Sequence, residues 1–393
     1  MSDLIAAFSR FFCSLRLTVV LLVMSMVLIF VATLAQVQLG VYGVQEQYFR
    51  TFFVLARIPN TEIPLPVFPG GYLIGGFLMI NLVAAHVHRF QFTWKKAGIQ
   101  LTHFGLIVLL VGELVSGLLQ EDYSLKLEEG QTRNYSESFR RNEVVIIDQT
   151  DADFDDVTAI PESLIAAANP IQHAKLPFRV IVRGYYPNAN LAMLNQLPAG
   201  AETANLAPNP STAGMGPRLG LFPAPLTYKD NERNLPVALI ELEGAEGSLG
   251  IWLVSPMLVQ PQTFDYAGRT WSVGFRFERE YKPFSLTLLE LKHDVYVGTQ
   301  IPKNFSSRVR LQSADGTEDR ESLIYMNQPL RHQGFTFYQY QMDSANGFSV
   351  LQVVHNPGRA LPYIACILMS IGLTWQFGFH LLRFTRRRNN SAA

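Results

Sequence analysis

Four apolar runs constrain this chain more than any other feature. They are Leu17 to Gln36 (LTVVLLVMSMVLIFVATLAQ), Gly70 to Val87 (GGYLIGGFLMINLVAAHV), Gly98 to Leu119 (GIQLTHFGLIVLLVGELVSGLL) and Ala360 to Leu382 (ALPYIACILMSIGLTWQFGFHLL). A bilayer core about 30 Å thick takes about 20 predominantly apolar residues in one α-helix, and each run meets that length. None contains Lys or Arg, and the only acid among them is Glu113. Composition points the same way. Charged residues make up 16% and the mean hydropathy is +0.13, whereas a soluble domain is roughly 25% charged. The expected class is a membrane protein of mixed architecture, with four transmembrane α-helices.

The flanks of these runs orient them. Arg10 and Arg16 precede the first; Arg89, Lys95 and Lys96 crowd the link between the second and third; Arg383, Arg386, Arg387 and Arg388 follow the fourth. In the link between the first two, Arg50 and Arg57 are balanced by Glu46 and Glu62. Basic loops stay on the cytoplasmic side, so both termini and the 89–97 link are expected there. Residues 120–359 are then extracytoplasmic. A basic start, an apolar run and Thr33-Leu34-Ala35 also fit a cleaved signal peptide, although the run exceeds a usual signal core. Residues 43–57 place Tyr48, Phe52, Phe53 and Ala56 near one helical face. They are expected to form an amphipathic helix, lying on the membrane or packed under the outer domain. Pro64, Pro66 and Pro69 should keep the following chain extended.

Residues 120–359 carry period-two alternation. It is visible in FRVIVRGYY (178–186), VALIELEG (237–244), TWSVGFRFERE (270–280), FSLTLLELK (284–292), SRVRLQ (307–312), GFTFYQYQ (334–341) and SVLQVV (349–354). Such runs, rich in β-branched and aromatic residues, indicate half-buried strands. Separated by turns, they suggest a mainly-β, antiparallel, sandwich-like domain between the third and fourth helices. The stretch 150–230 is rich in Ala, Pro and Asn, and is expected to be mostly irregular with a short helix near 160–168. The resulting organisation is residues 1–119 with three spans, residues 120–359 as the β domain, and residues 360–393 as the last span and a basic tail.

Several chemistries are excluded. Lys plus Arg (32) equals Asp plus Glu (32), so there is no electrostatic pull toward nucleic acid. The two cysteines, Cys13 and Cys366, form neither CxxC nor CxxCH. A thioredoxin-type thiol pair and covalent c-type haem are therefore ruled out on this chain. His173, His293, His332 and His355 show no metal-ligand spacing, and no GxSxG, P-loop or dinucleotide fingerprint occurs.

Ionisable groups at membrane depth are costly and point to function by default. Imidazole can remain neutral and ligate iron. His103 lies about one turn into the third run; His86 and His88 end the second and His380 the fourth, all expected near one cytoplasmic level. Gly98, Gly105 and Gly112 recur every seventh residue and permit close approach of a helix or a macrocycle. Glu113, ten residues past His103, suits a proton relay, a partner's basic group, or a protonated hydrogen bond between helices. The alternative reading of His103 is a histidine hydrogen-bonded to a neighbouring helix.

The motifs that go further are MNQPLRHQGFTFYQYQMD, then SVLQVVHNPGRALPYIACILMSIGLTW, with DVYVGTQIPKNFSSRVRL upstream and WKKAGIQLTHFGLIVLLVG followed by LKLEEGQT. These resemble the ResB family, also called CcsB, of the system II cytochrome c biogenesis apparatus. The resemblance covers about two-thirds of the chain and omits residues 150–230. It implies a bacterial inner-membrane subunit that works with a ResC/CcsA-type membrane protein to move haem outward and deliver it to apocytochrome c. A thioredoxin-like thiol reductase is a further implied partner. The family's axial haem ligand falls on His103, with haem b held transiently and shared with the partner. His86 and His380 are weaker candidates for a second iron ligand. The partner's tryptophan-rich loop has no counterpart among Trp94, Trp252, Trp271 and Trp375, so the chain is at most one subunit of a cytochrome c synthase (haem lyase) and carries no complete active site. Two alternatives stand beside this one. A cytochrome b-like electron-transfer subunit would need two facing histidines within the chain. A non-catalytic scaffold binding an exported client would not need His103.

Overall fold

In the computed structural model, residues 9–57, 64–88, 93–196, 206–229, 232–296, 298, 302–343 and 347–391 are described. Arg89 and Glu62 lie outside the described residues, as do residues 197–205 within the Ala/Pro/Asn-rich stretch 150–230. Among the described residues the first long helix is α1 (Leu15–Val44), which runs into a single π-helical turn (Gln45–Phe49). A hairpin follows, β1 (Phe53–Arg57) and β2 (Pro64–Pro69), then α2 (Gly71–His88) and α3 (Ala97–Leu119). Among the described residues fifteen strands come next, β3 (Glu121–Glu128) to β17 (Phe348–His355), and finally α5 (Leu361–Ser391). Within the strand region one short helix, α4 (Glu162–Ala166), occupies the position expected for it. The four long helices are each apolar enough to cross a membrane.

The helices associate in two pairs. Against α1, α2 packs through Leu21, Leu28 and Ile74. Buried Asn81 of α2 accepts a hydrogen bond from Thr18 Oγ1 (2.7 Å) and donates to the carbonyl of Phe12 (2.6 Å). This stitches the start of α1 to α2, because a buried amide left unpaired would be costly. The second pair is α3 with α5, antiparallel, joined along the glycine stripe. A Cβ on Gly98 would meet the Gly372 carbonyl at 2.6 Å, one on Gly105 would meet Met369 Cγ at 2.7 Å, and one on Gly112 would meet Leu361 Cβ at 2.8 Å. The seven-residue glycine repeat thus receives a neighbouring helix of the same chain.

The expected helix over 43–57 needs correction. The helical chain stops at Phe49, and Phe53–Arg57 is a strand paired antiparallel with Pro64–Pro69. The three prolines do keep the second strand extended, and a proline-bearing strand is tolerated in a two-stranded edge pairing. The exposed apolar character expected of a helix is instead carried by the hairpin, through Phe52, Phe53, Leu55, Leu65 and Val67.

The strands form a ten-stranded antiparallel sheet and smaller satellite sheets. Its spine is β12 (Arg269–Val295), which pairs with β4 (Thr132–Asp148) on one side and β13 (Pro302–Ser313) on the other. Two hydrophobic cores are strung along this strand. At its start, Trp271, Val273 and Phe275 join Val144 and Ile146 of β4. They pack against Val180, Ile240 and Val254 of a three-stranded sheet made of β6 (Arg179–Tyr186), β9 (Val237–Gly244) and β10 (Gly247–Val254). That half is the expected sandwich. Further along, Phe284, Leu286 and Leu288 face Leu125, Val309, Phe337 and Leu351 inside a curled, barrel-like half. Register shifts between Phe277 and Arg279 and between Tyr281 and Leu286 bend β12 between the two halves, as bulges do. Residues 150–230 are more regular than expected. They include β5 (Asp156–Pro161), β6, and the pair β7 (Ala189–Met193) and β8 (Leu219–Pro223).

The β region grows directly out of the α3–α5 pair. Only Gln120 separates α3 from β3, and β17 ends at His355 shortly before α5. Asn356 Nδ2 donates to Ser116 Oγ (3.0 Å) and Gln120 Oε1 (3.1 Å), tying the return strand to the end of α3.

Candidate functional site

Helix α3 is 3.6 residues per turn, so its two faces follow from the numbering. The Gly98, Gly105 and Gly112 face is buried on α5. His103 lies five residues past Gly98, on the far side of the helix, and is exposed. Half-buried His86, in the last turn of α2, faces it, with ring centroids 6.3 Å apart and planes inclined at 66°. The two histidines nominated from sequence therefore form one pair, at the helix end remote from the β domain.

His380 does not join them. Its Nε2 lies 2.7 Å from Gln376 Nε2, and Gln376 packs beside Gly98. Because α5 runs antiparallel to α3, His380 is displaced from His103 by about 13 Å along the helix direction. It also lies toward the α5-facing side of the pair. The expected common level thus holds for His86 and His103 and not for His380. Glu113 is exposed on α3, and it has no hydrogen-bond or ion-pair partner among the described residues. The expected bond between helices is therefore not made among the described residues.

The donor chemistry of the pair fits haem iron. Neutral imidazole nitrogens are ordinary iron ligands. Two imidazoles on one metal, with metal–nitrogen bonds of about 2 Å, stand with ring centres roughly 6 Å apart. His103 also opens onto the outer surface of the helix bundle, where a ligand from another chain has access. Among the described residues no group of three or more metal-ligating side chains occurs. The outer histidines are packed on aromatic rings or turns: His293 on Phe305 (4.7 Å), His332 on Phe284 (4.6 Å) and His355 on Phe335 (5.0 Å). His173 Nδ1 accepts the Lys175 amide. Neither Cys13 nor Cys366 is in a disulfide among the described residues.

Sequence inspection missed two features. Lys282 is buried between the two β cores, where its Nζ donates to Ser136 Oγ (2.5 Å) and the Glu280 carbonyl (3.1 Å). Burial draws its pKa down to about 8. The second is a cluster of arginines where α1 meets the β region, formed by residues far apart in sequence.

Comparison with known proteins places the β region. Residues 244–347 match the ResB-like family. A 93-residue stretch is 30% identical to Protein NrfI of Wolinella succinogenes, covering 24% of this chain and 10% of that protein. The family match spans β10 to β16 and so includes neither His86 nor His103.

Proposed function

We propose that this chain, ResB-like through its β region, is a membrane subunit of a cytochrome c biogenesis complex. In this role it would assist haem, its cargo, across the bacterial inner membrane and toward apocytochrome c. A ResC/CcsA-type protein would be the partner and a thioredoxin-like reductase would keep the client thiols reduced. The observation that carries the proposal is the His86–His103 pair on the open face of α2 and α3, in a chain whose β region matches the family. His103 would supply an axial imidazole. Being neutral, it places no charge at membrane depth, where ionised groups cost about 2.5–3.5 kcal/mol or more. The glycine stripe is used up by α5, so the porphyrin face would be met by the exposed side of α3 and by the partner. With no CxxC, the chain supplies no dithiol of its own.

The same pair favours a second role, that of a cytochrome b-like subunit holding haem permanently between His86 and His103. The two roles separate on one measurement, the haem spectrum of this chain purified with and without its partner. In the biogenesis role His103→Gly removes most haem from the complex and stops cytochrome c assembly, added imidazole restores both, and the chain alone holds haem poorly. In the electron-transfer role the chain alone keeps a full six-coordinate spectrum, and His86→Ala is as damaging as His103→Gly. A His103→Gly complex with full haem and an unaltered spectrum would rule out both.

A further inference from the structure

We infer that the β1–β2 hairpin is inserted in the membrane, with Phe52, Phe53, Leu55, Leu65 and Val67 among the acyl chains just beneath the headgroups on the β-region side. Among the described residues the hairpin is a two-stranded sheet of its own, paired with no other strand. Those five side chains are exposed. The flanking sequence, TFFVLA at 51–56 and PLPVFPGGY at 64–72, holds no charged residue. An uncharged, contiguous apolar surface of this kind needs a cover, and its depth and backbone chemistry identify lipid as that cover.

The depth follows from the two helices that carry the hairpin. Thr18 of α1 bonds Asn81 of α2, so the helices share a level there. From Asn81 to Gly71, where α2 starts, is about 15 Å, while from Thr18 to Val37 along α1 is about 28 Å. Over that extra length α1 stays apolar and exposed, through Phe30, Val31, Leu34 and Val37, and the first charged residue after Arg16 is Glu46. Helix α2 therefore starts about 13 Å short of the top of the apolar surface of α1. The base of the hairpin fills the missing height. Only Gly70 separates β2 from α2, its amide donates to the Phe52 carbonyl (2.8 Å), and the Tyr72 amide donates to the Thr51 carbonyl (3.2 Å). Val54 is buried in one cluster with Leu28 of α1 and Ile74 of α2, and Phe68 packs on that cluster. The exposed side chains thus continue the apolar outer surface of the two spans.

Backbone chemistry selects a shallow lipid position. Open sheet edges are excluded from the hydrocarbon centre, where unpaired N–H and C=O groups find no partner. In β2, PLPVFP, three of the six residues are prolines, which have no N–H to leave unpaired. Close to the headgroups, water can reach the remaining carbonyls. The same prolines oppose the addition of a further strand from another protein. The exposed side chains are Phe, Leu and Val, which offer no hydrogen bond to orient a protein partner.

The test uses the full-length chain, purified alone and reconstituted in phosphatidylcholine vesicles. With Cys13→Ser and Cys366→Ser in place, an environment-sensitive fluorophore is attached at Leu65→Cys. The control is the same fluorophore at Glu128→Cys, exposed at the far end of β3, about 23 Å along the strand from Glu121. Lipids spin-labelled at the fifth or the twelfth acyl carbon serve as quenchers. The fifth-carbon lipid is expected to quench the Leu65 site roughly threefold more than the control site, and more than the twelfth-carbon lipid does. Quenching no greater than the control, with free access of aqueous iodide, would overturn the proposal and leave this face to a protein partner. Stronger quenching by the twelfth-carbon lipid would also overturn it, by placing the hairpin at the bilayer centre. If the labelled variants do not fold, hydroxyl-radical footprinting of the unaltered protein in the same vesicles decides. Phe52 (60% exposed) and Phe154 (65% exposed), the latter in the acidic stretch 151–156, are similarly open in the protein itself. Oxidation of Phe52 several-fold below that of Phe154 is the expected result, and equal oxidation would overturn the proposal.

Discussion

Single residues show where this sequence accepts a cost. Lys282 is 7% exposed and sits at the bend of β12, where one core gives way to the other. Its ammonium is held by Ser136, by the Glu280 carbonyl and by the Phe335 ring at 4.6 Å. These contacts do not repay full desolvation, so its pKa falls from 10.5 to about 8. The sign of the linkage follows. Between about pH 8 and 10.5 the unfolded chain carries a proton that the folded chain lacks, so stability rises with pH across that window. Below the folded value both states are protonated and the full cost remains, at most about 3 kcal/mol. Melting temperature measured from pH 7 to 10 should climb in the native protein, with a flatter profile for Lys282→Met. Parallel profiles would mean that Lys282 is not the group responsible. Nothing in the local sequence EREYKPFS marks this lysine as buried, because its burial depends on a bend produced by pairing with β4.

At the scale of elements, legibility tracked how local the signal was. A membrane-length apolar run identifies itself, and the four expected spans lie within α1, α2, α3 and α5, except that the expected second and fourth spans begin one residue before their helices. Strands whose faces differ in burial were equally readable, as in SVLQVV of β17, where buried and half-buried residues alternate. The first half of β4, TRNYSESFRR, was not. It carries Arg140 and Arg141 of the arginine cluster beside α1 and is rich in polar side chains, so no apolar alternation appears. Strands β7 and β8 escaped because they are short and pair across a long intervening segment. The first strand of the hairpin, Phe53–Arg57, fell inside the expected helix because Phe52, Phe53 and Ala56 also fit a helical period. The glycine stripe of α3 was legible as a site of close approach, but the identity of the approaching surface was not. That surface is α5, and the consequence can be measured. Gly105→Leu places a side chain where even a Cβ would be 2.7 Å from Met369 Cγ and 3.0 Å from the Ala365 carbonyl. Tight small-residue packing is a main source of helix association in lipid. The variant should accumulate poorly or melt well below the parent in detergent, whereas Gly117→Leu, with open space around its Cβ, should be tolerated. Equal tolerance of both would argue against the α3–α5 interface.

For the molecule as a whole, the two ends of the helix bundle differ in kind. The His86–His103 pair sits at one end, beside the Trp94–Trp375 contact and the basic residues Lys95 and Lys96. The β region and the arginine cluster beside it stand at the other. From His103 to the end of α3 at Leu119 is about 24 Å at 1.5 Å per residue, most of a hydrocarbon core. Between them α3 offers glycines already occupied by α5 and one exposed acid, Glu113. This chain alone thus lines no continuous polar route between its two ends among the described residues. A cargo ligated at His103 would have to cross along a surface completed by another protein. That division of labour requires the histidine pair and the β region to lie on opposite sides of the membrane, with the basic flanks inside. Reporter fusions after Lys95 and after Arg388 should therefore read cytoplasmic, and one near residue 205 should read extracytoplasmic. A cytoplasmic signal at 205 would place histidines and β region in an arrangement that cannot deliver haem outward, and the proposed role would fall with it.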